Sequence, residues 1–268
     1  MRYIIDHDFH MHSSLSLCSG DPGQTPEAML KYAEEHNLKA ICITDHYWDE
    51  LVPCNTAVNR WYERQNHAHV TQILPLPQPE NVKLLFGCEA DLDSDDVIGI
   101  SKERFDAFDF IVLSTTHLHH MSGPRWENLS NAGVAEKWVE RFDAVLNADL
   151  PFGKVGIAHP TCRLINMHSR KDFLEILSLI PQSELERLFT KAAKVGLGIE
   201  INASTMQFEE SETDTILRMY RIAKDCGCKF YLGSDAHTRE DMKKLFPFFD
   251  RAIDLLDLQE SDKFIIKA

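Results

Sequence analysis

Two histidines separated by one residue, His10 and His12, lie near the start of the chain in a stretch whose pattern predicts a β-strand from Asp8 to His12. Because successive side chains of a strand point to opposite faces, both imidazoles share one face with Asp8. Neutral imidazoles are good ligands for borderline divalent metals. A histidine pair is equally common in a solvated loop, so this pair alone leaves both alternatives open.

Residues that can bind metal recur where the later predicted strands end. At the C-terminal ends of six of the seven predicted strands, or just after them, lie residues with imidazole or carboxylate side chains. They are His10 and His12, Asp45 and His46, Glu89, His117, His159, and Asp235 and His237. Singly, each has an ordinary explanation, because buried histidines usually make hydrogen bonds and strand-end carboxylates are usually solvated. Their agreement in position favours one shared metal site.

The remaining histidines are treated separately. Those outside the strand-end pattern are expected on the surface: His7, His36, His67 and His69. The loop after His117 could bring His119 or His120 inward, and the location of His168 stays open.

The elements that must position these residues alternate between short apolar runs and helical patterns, which is typical of a parallel sheet with crossover helices. The predicted strands are Asp8–His12, Ala40–Thr44, Lys83–Glu89, Phe110–Thr115, Val155–Ala158, Gly198–Asn202 and Lys229–Gly233. Seven such units closing on themselves predict an α/β fold, a distorted (β/α)7 barrel of TIM type. The C-terminal ends of parallel strands meet at one face of a barrel, so the metal site is expected there.

Several local signals predict helices and loops between the strands. Thr25, followed by a proline, predicts a helix that ends near His36. Ser183 opens a capping-box pattern ahead of a buried helical face, and Thr238 is expected to begin the last helix. Three prolines within 75–79 remove backbone donors and predict a loop.

The composition fits one cytoplasmic barrel domain spanning residues 1–268. A chain of 268 residues with 44% hydrophobic content can bury a single large core. We find no apolar run long enough for a signal peptide or a membrane span. Seven cysteines, an odd number without a Cys-x-x-Cys pair, are expected as reduced and mostly buried thiols, Cys226 and Cys228 included.

The formal charge of −14 disfavours a nucleic-acid-binding surface, which needs clustered lysine and arginine. Cations held in one pocket would supply the largest local positive charge and could still attract a small phosphorylated substrate. The expected partner is therefore a small phosphorylated molecule, with no role for a membrane.

The ordered set of strand-end residues resembles the PHP family, named after polymerase and histidinol phosphatase, and in particular its stand-alone, histidinol-phosphatase-like members. The resemblance covers residues 8 to 237 and implies two or three divalent metals, zinc, manganese or iron, at the strand ends. The ligands that it implies are His10, His12, His46, Glu89, His117, His159, Asp235 and His237. It also implies that Glu89 bridges two of the metals.

One stretch departs from the family pattern. Members of the family place an aspartate or histidine shortly after the His-x-His pair, often before a glycine, where this chain has Ser19. We put forward Asp21 as the residue that replaces the usual ligand. The alternatives are that Cys18 replaces it or that this ligand is missing. An ordinary turn also explains the Gly-Asp-Pro-Gly sequence around Asp21.

The expected reaction is hydrolysis of a phosphomonoester. A hydroxide bridging two metals would attack phosphorus and release inorganic phosphate, while the metals neutralise charge on the phosphoryl oxygens. Glu89, Asp235 and His237 are the expected catalytic residues.

Three further residues are expected around the ligands. Asp8 and Asp45 are predicted to lie behind them, where a carboxylate can orient an imidazole. Arg163 is the candidate phosphate clamp, because guanidinium can meet phosphate oxygens bidentately. A surface salt bridge explains Arg163 equally well.

Histidinol phosphate is the first substrate to test, by analogy with the family. Nucleoside monophosphates, phosphotyrosine peptides and nucleic-acid ends are alternatives within the family. Outside it, an amidohydrolase would need a carboxylated lysine on a middle strand, whereas Lys154 precedes its strand. A metal-stabilised binding domain without activity is the third alternative, and the sequence leaves the oligomeric state open.

Overall fold

Parallel strands and helices alternate along the chain in the computed structural model, which describes residues 1–267. The strands are β1 His7–Met11, β2 Ala40–Ile43, β3 His46–Tyr47, β4 Lys83–Asp91, β5 Phe110–Ser114, β6 Val155–Ile157, β7 Gly198–Asn202 and β8 Lys229–Gly233. The helices are α1 Pro26–Glu35, α2 Asn59–Glu63, α3 His67–Val70, α4 Asn131–Asn147, α5 Arg170–Leu179, α6 Gln182–Val195, α7 Thr213–Asp225, α8 Arg239–Leu245 and α9 Pro247–Leu256. Segments of 3₁₀ helix are Thr71–Ile73, Lys102–Ala107, Leu118–His120, Phe152–Lys154, Arg163–Ile165, Ser204–Met206, Glu210–Glu212 and Glu260–Asp262.

The strands form one nearly closed barrel. Their order is β1-β2-β4-β5-β6-β7-β8, and every named pairing is parallel. The short strand β3 pairs with the C-terminal part of β4. The first and last strands approach through two backbone hydrogen bonds, from the N–H of Asp235 to the carbonyl of His10 at 2.7 Å and from the N–H of His12 to Ala236 at 3.0 Å. The predicted α/β fold, a distorted barrel of TIM type, is confirmed.

All seven predicted strands are present, and one is longer than predicted. The third predicted strand, β4, continues two residues past Glu89 to Asp91. The physical reason is a short extra strand, β3, which pairs His46 with Glu89 and Tyr47 with Ala90 and so supplies backbone partners to the end of β4. This extension places Asp91 on the same face as Glu89.

Buried apolar side chains from around the barrel fill its interior. They are Phe9, Cys42, Leu85, Phe110, Val112, Ala158, Tyr231 and, from the C-terminal segment, Phe264. A second and larger cluster packs the helices against the outside of the strands. Both faces of the sheet are therefore covered, as parallel strands require.

The helix-start predictions have mixed outcomes. Thr25 caps α1 as predicted, accepting a hydrogen bond from the N–H of Ala28, and Thr238 caps α8 in the same way. Ser183 is not a cap, because only two residues separate α5 from α6 and the second helix begins directly after Pro181. The helix begun by Thr238 is also not the last one, because Pro247 starts α9 immediately afterwards.

Other sequence predictions concern single residues. His7 is not on the surface: it is 3% exposed, its Nδ1 lies 2.8 Å from Asp6 and its Nε2 accepts from the N–H of Leu232 at 3.0 Å. The prolines of 75–79 lie in a loop, as predicted. All seven cysteines are free thiols, of which Cys42, Cys88 and Cys228 are buried and Cys18 is exposed.

None of the helices within residues 1–267 is both long enough and apolar enough to span a membrane.

Candidate metal centre

The carboxylate of Glu89 lies at the middle of a ring of imidazoles at the C-terminal end of the barrel. Its Oε2 lies 3.1 Å from Nδ1 of His46 and 3.4 Å from Nε2 of both His10 and His12. Its other oxygen, Oε1, lies 3.0 Å from Nε2 of His159 and 3.9 Å from Nε2 of His117. Glu89 is 1% exposed. Two groups of imidazoles thus share one buried carboxylate, one group at each oxygen.

The oxygen Oε2 belongs to a first group of possible ligands. His10 and His12 bring their Nε2 atoms to within 3.2 Å of each other, and Oδ1 of Asp235 lies 3.1 Å from the nitrogen of His12 and 3.6 Å from that of His10. Two nitrogens and two carboxylates converging in this way could hold a divalent cation.

A residue that the sequence analysis missed lies beside the second group. Oδ1 of Asp91 lies 2.6 Å from Nδ1 of His117, and its Oδ2 lies 3.8 Å from Nδ1 of His46. These three side chains form a further cluster that could hold a metal, and Asp91 is fully buried. The sequence does carry a signal for Asp91, because Glu89 and Asp91 are two residues apart and would share one face of a strand. The signal was missed because the strand was predicted to end at Glu89.

Unpaired buried atoms test whether the site fits a cation. Within residues 1–267, Nδ1 of His46, Oε2 of Glu89 and Oδ2 of Asp91 are buried side-chain atoms without a hydrogen-bond partner, although they face one another. Buried polar atoms normally have partners, and leaving one unsatisfied costs about 1–3 kcal/mol. Imidazole and carboxylate donors with this arrangement fit a divalent cation of the zinc, manganese or iron type.

Buried partners fix the ligand rings from behind. Glu200 accepts from Nδ1 of His10 at 2.7 Å, and the hydroxyl of Thr116 lies 2.8 Å from Nδ1 of His159. Such contacts fix the tautomer and orientation of a metal-binding imidazole. Glu200 was also missed from sequence, although a charged residue in the middle of a buried strand needs a partner and so carried a signal.

Asp45 also lies behind the ligands, but it acts on a different ring from the one next to it in sequence. Its carboxylate accepts from the N–H of Ser13 at 2.7 Å and from the hydroxyl of Ser16 at 2.8 Å, and that hydroxyl lies 2.9 Å from Nδ1 of His12. Asp45 therefore orients His12 through Ser16.

Asp8 ties the first and last strands together. Its Oδ1 accepts from the N–H of Ser234 at 2.9 Å, and its Oδ2 accepts from the hydroxyl of Tyr32 at 3.2 Å. Burial raises the pKa of Asp8 to about 6. Asp8 thus supports the backbone under Asp235 and does not touch a ligand ring.

Two of the clustered residues adopt unusual backbone conformations. His159 has a φ of 26° and Asp235 a φ of 57°, both in a region that non-glycine residues rarely occupy. Such conformations persist only where the surrounding structure imposes them, and they are frequent at functional sites. Here they turn two side chains into the cluster immediately after their strands end.

The charges of the cluster depend on one another. Burial would raise the pKa of Glu89, but His46 and His10 hold it well below its usual range. Burial also opposes ionisation of Asp235, yet His10, His12 and His237 keep its pKa below the usual value. The carboxylates are therefore ionised, and the neighbouring imidazoles hold them in that form.

A pocket of about 300 Å³ opens above the cluster. Its lining residues are Cys18, His46, Trp61, Glu89, His117, His119, His120, Leu164, Asp235 and His237. His119 and His120, whose location was open, thus face the pocket. Burial first, and then neighbouring imidazoles, lower their pKa values to about 3 and about 4, so both are neutral at pH 7.

Two sequence candidates lie away from this pocket. Asp21 belongs to none of the ligand clusters found in residues 1–267, because Arg239 engages both of its carboxylate oxygens, at 2.8 and 3.0 Å. Arg163 lines a neighbouring groove of about 530 Å³ together with Arg170 and Arg251. This placement argues against direct contact between Arg163 and a phosphate at the cluster. The residue that does approach the imidazoles is Cys18.

A buried arginine fastens the loops that follow β4 and β5. Arg141, on α4, is fully buried and donates to the carbonyls of Thr115 at 2.8 Å, Asp93 at 2.8 Å and Leu92 at 2.9 Å. It therefore fixes the chain on either side of the Asp91–His117 contact. Sequence alone gave no signal for it, because an arginine on an amphipathic helix is usually exposed.

Comparison with solved structures identifies the same barrel elsewhere. A histidinol phosphate phosphatase from Lactococcus lactis, solved with zinc, L-histidinol and phosphate, superposes with a TM-score of 0.53 at 16% identity, covering 92% of this chain and 93% of that one. A putative histidinol phosphatase from Listeria monocytogenes gives a TM-score of 0.57 at 15% identity, covering 91% and 99%. At these identities the likeness concerns the fold.

Two sequence relatives, both described as probable phosphatases, extend over most of the chain. The protein of Caldicellulosiruptor bescii is 24% identical over 241 residues, which are 89% of this chain and 82% of the relative. The protein of Caldicellulosiruptor saccharolyticus is 21% identical over 243 residues, covering 90% and 84%.

The family model described as the PHP domain matches residues 8–204. This segment contains nearly all of β1 to β7 and most of the clustered imidazoles and carboxylates, and the family resemblance expected from the strand-end residues is thereby confirmed. The chain belongs to the PHP domain family.

Proposed function

We propose that this protein is a metal-dependent phosphatase that hydrolyses a small phosphate monoester at the pocket above Glu89. The observation that carries the proposal is the buried Glu89 carboxylate, which has imidazole nitrogens within 4 Å of both of its oxygens. The expected enzyme class, metal-dependent phosphatase, is confirmed by the PHP family match together with the phosphatase relatives.

The charge of the pocket supports the requirement for metal. None of its lining residues is a lysine or an arginine, and two of its histidines are neutral at pH 7. A phosphate dianion in this pocket would meet the carboxylates of Glu89 and Asp235, with no lysine or arginine in the lining to offset their charge. Cations held by the cluster are therefore needed to bind it.

The distances support two proposed cation positions that share Glu89. His10, His12 and Asp235 lie with Oε2 of Glu89, whereas His117 and His159 lie with Oε1. Two divalent cations held there would activate a water molecule and neutralise the phosphoryl charge. We propose zinc, manganese or iron as the ions.

Asp235 is the proposed proton carrier, since 17% of its side chain remains open to the pocket, next to the His237 ring, which is 28% exposed. Oδ1 of Asp235 faces the imidazoles, which leaves Oδ2 to accept the proton of the attacking water. As the water oxygen bonds to phosphorus, the bond from phosphorus to the ester oxygen breaks. Asp235 then delivers the proton that it accepted to that oxygen, so that the products are an alcohol and inorganic phosphate.

Histidinol phosphate is the proposed first substrate. The fold is shared with a histidinol phosphate phosphatase, and a pocket of about 300 Å³ suits a molecule of that size. A carboxylated-lysine hydrolase has no support here, because Nζ of Lys154 donates to the carbonyls of Phe105 and Phe108 and Lys154 belongs to no ligand cluster of residues 1–267.

A substrate panel tests this proposal. The zinc-, manganese- and iron-loaded protein would be assayed on histidinol phosphate, a nucleoside monophosphate, phosphotyrosine and a phosphodiester, with metal content measured in each sample. We expect the highest kcat/KM on histidinol phosphate and no turnover by Asp235→Asn, a variant that keeps a side chain tolerant of positive φ. Preference for another monoester would replace the substrate, and inactivity on every ester with metal bound would overturn the proposal.

A further inference from the structure

A thiol lies next to imidazoles at the edge of the two positions around Glu89. Cys18, His46, His237 and His12 each bring one ligand atom to within 4.8 Å of the others. We propose that the thiolate of Cys18, with His46 and His237, forms a third cation site, which prefers a borderline-soft divalent ion such as Zn²⁺ or Co²⁺ to Mg²⁺ or Mn²⁺. The inference rests on the metal centre proposed above, though not on its substrate.

The imidazoles of this site are available when the others are occupied. His12 points its Nε2 at His10 and Asp235 and belongs to the first position. His46 is 6% exposed, and its Nδ1 faces Glu89 at 3.1 Å and Asp91 at 3.8 Å, which leaves its Nε2 as the atom that can bind beside Cys18. His237 places Nδ1 2.9 Å from the carbonyl of Asp235, which leaves its Nε2 free to bind.

The loop that carries Cys18 is fastened on both sides of the thiol. The N–H of Ser19 donates to the carbonyl of Ser16 at 2.8 Å, and its hydroxyl donates to the carbonyl of His237 at 2.7 Å. Asp21 accepts from the guanidinium and the N–H of Arg239, two residues after His237. These contacts hold the loop against the end of β8 and place Cys18 beside His237.

The same contacts explain why neither neighbour of Cys18 is the ligand. Ser19 directs its hydroxyl at the backbone of His237, and Asp21 is engaged by Arg239. Asp21 therefore positions the loop that presents the thiol. Thiolate ligands favour zinc and related ions, whereas magnesium and manganese favour oxygen ligands, so this substitution sets the ion preference of the site.

Cobalt substitution tests the thiolate directly. The full-length protein, stripped with chelator and titrated with Co²⁺, should show a thiolate-to-cobalt charge-transfer band in the near ultraviolet, which imidazole and carboxylate ligands do not produce. Cys18→Ser should lose this band and bind one equivalent less of zinc per chain. Cys226→Ser is the matched control, because Cys226 lies at the end of α7 and contacts Glu186 and Thr190. It should keep both the band and the zinc.

A second measurement keeps the test independent of turnover. Iodoacetamide should label Cys18 in the stripped protein, and label it at least tenfold more slowly after zinc is restored, because a bound cation would block the thiol. Circular dichroism of Cys18→Ser checks that the fold is kept. Absence of the band in the parent protein, its persistence in Cys18→Ser, or equal labelling with and without zinc would overturn the thiolate site. None of these outcomes depends on whether phosphatase activity is found.

Discussion

Glu200 accepts a hydrogen bond from Nδ1 of His10 at 2.7 Å, and neither side chain is exposed to solvent. The contact joins β7 to β1 across β8, and Gly233 of β8 makes room for it. A Cβ atom at Gly233 would overlap Oε1 of Glu200 and would lie 2.6 Å from Cβ of His10. The orientation of one metal-facing imidazole therefore depends on a glycine in another strand.

Replacing Gly233 by alanine should weaken metal binding. The added methyl group displaces Glu200 or His10, and loss of such a partner typically lowers metal affinity about 10–100-fold. Zinc affinity, measured by competition with a chelating dye, checks the result. Gly20→Ala serves as control, since a Cβ there meets no atom within 4 Å. Equal affinity of the two variants would show that the contact is dispensable.

Replacing Arg141 by methionine should destabilise the protein by about 3–5 kcal/mol, because three buried carbonyls lose their donor. Urea unfolding measures this change. Arg221→Met, which removes an exposed arginine paired with Asp214, should change the free energy of unfolding by less than about 1 kcal/mol. A similar, small loss in both variants would contradict the role given to Arg141.

The ion pair of Asp6 and Lys263 should make stability depend on acid pH. Burial opposes ionisation of Asp6, but His7 and Lys263 outweigh it and lower its pKa to about 2. A lowered carboxyl pKa contributes stability above the unfolded value, near pH 4, and this contribution is lost as pH falls towards 2. Because Asp6 is one-third exposed, we discount the contribution to about 1–2 kcal/mol at pH 7.

Urea unfolding of Asp6→Asn at pH 7 and pH 3 measures this dependence. The variant should be less stable than the parent protein at pH 7, and the difference should shrink by about half at pH 3. Asp254→Asn removes an exposed partner of Arg2 and should show little change at either pH. A deficit in Asp6→Asn that is the same at both pH values would exclude the ion pair as its cause.

Trp61 should contribute to substrate binding and not to metal binding. Its ring lies 5.0 Å from that of His46 and 5.6 Å from that of His120, and it lines the pocket. Trp61→Ala should raise KM about tenfold, roughly 1.4 kcal/mol, with kcat nearly unchanged, as expected for a contact made equally in the ground and transition states. Trp61→Phe should recover most of the binding. Lower zinc content in the alanine variant would instead assign Trp61 to the metal centre.

The convergence of the strand-end imidazoles and carboxylates was predictable because each follows an apolar run, and parallel strands bring such ends together. Asp91 was missed because its strand extension depends on pairing with β3, a two-residue strand too short to recognise from sequence. The placement of Asp21 away from the cluster depends on Arg239, 218 residues beyond it, and no local pattern reveals that pair. Arg141 was hidden because its carbonyl partners are distant in sequence.

The most direct test of the central claim measures metal content and phosphatase rate together on one sample. The parent protein, stripped and then titrated with zinc or manganese, should gain p-nitrophenyl phosphate hydrolysis in step with bound metal and reach its maximum at two or three ions per chain. Glu89→Gln, which removes the shared charge at the centre of the cluster, should bind less metal and lose at least a hundredfold in rate. A protein that hydrolyses the ester equally well without metal, or an active Glu89→Gln variant with full metal content, would contradict the account.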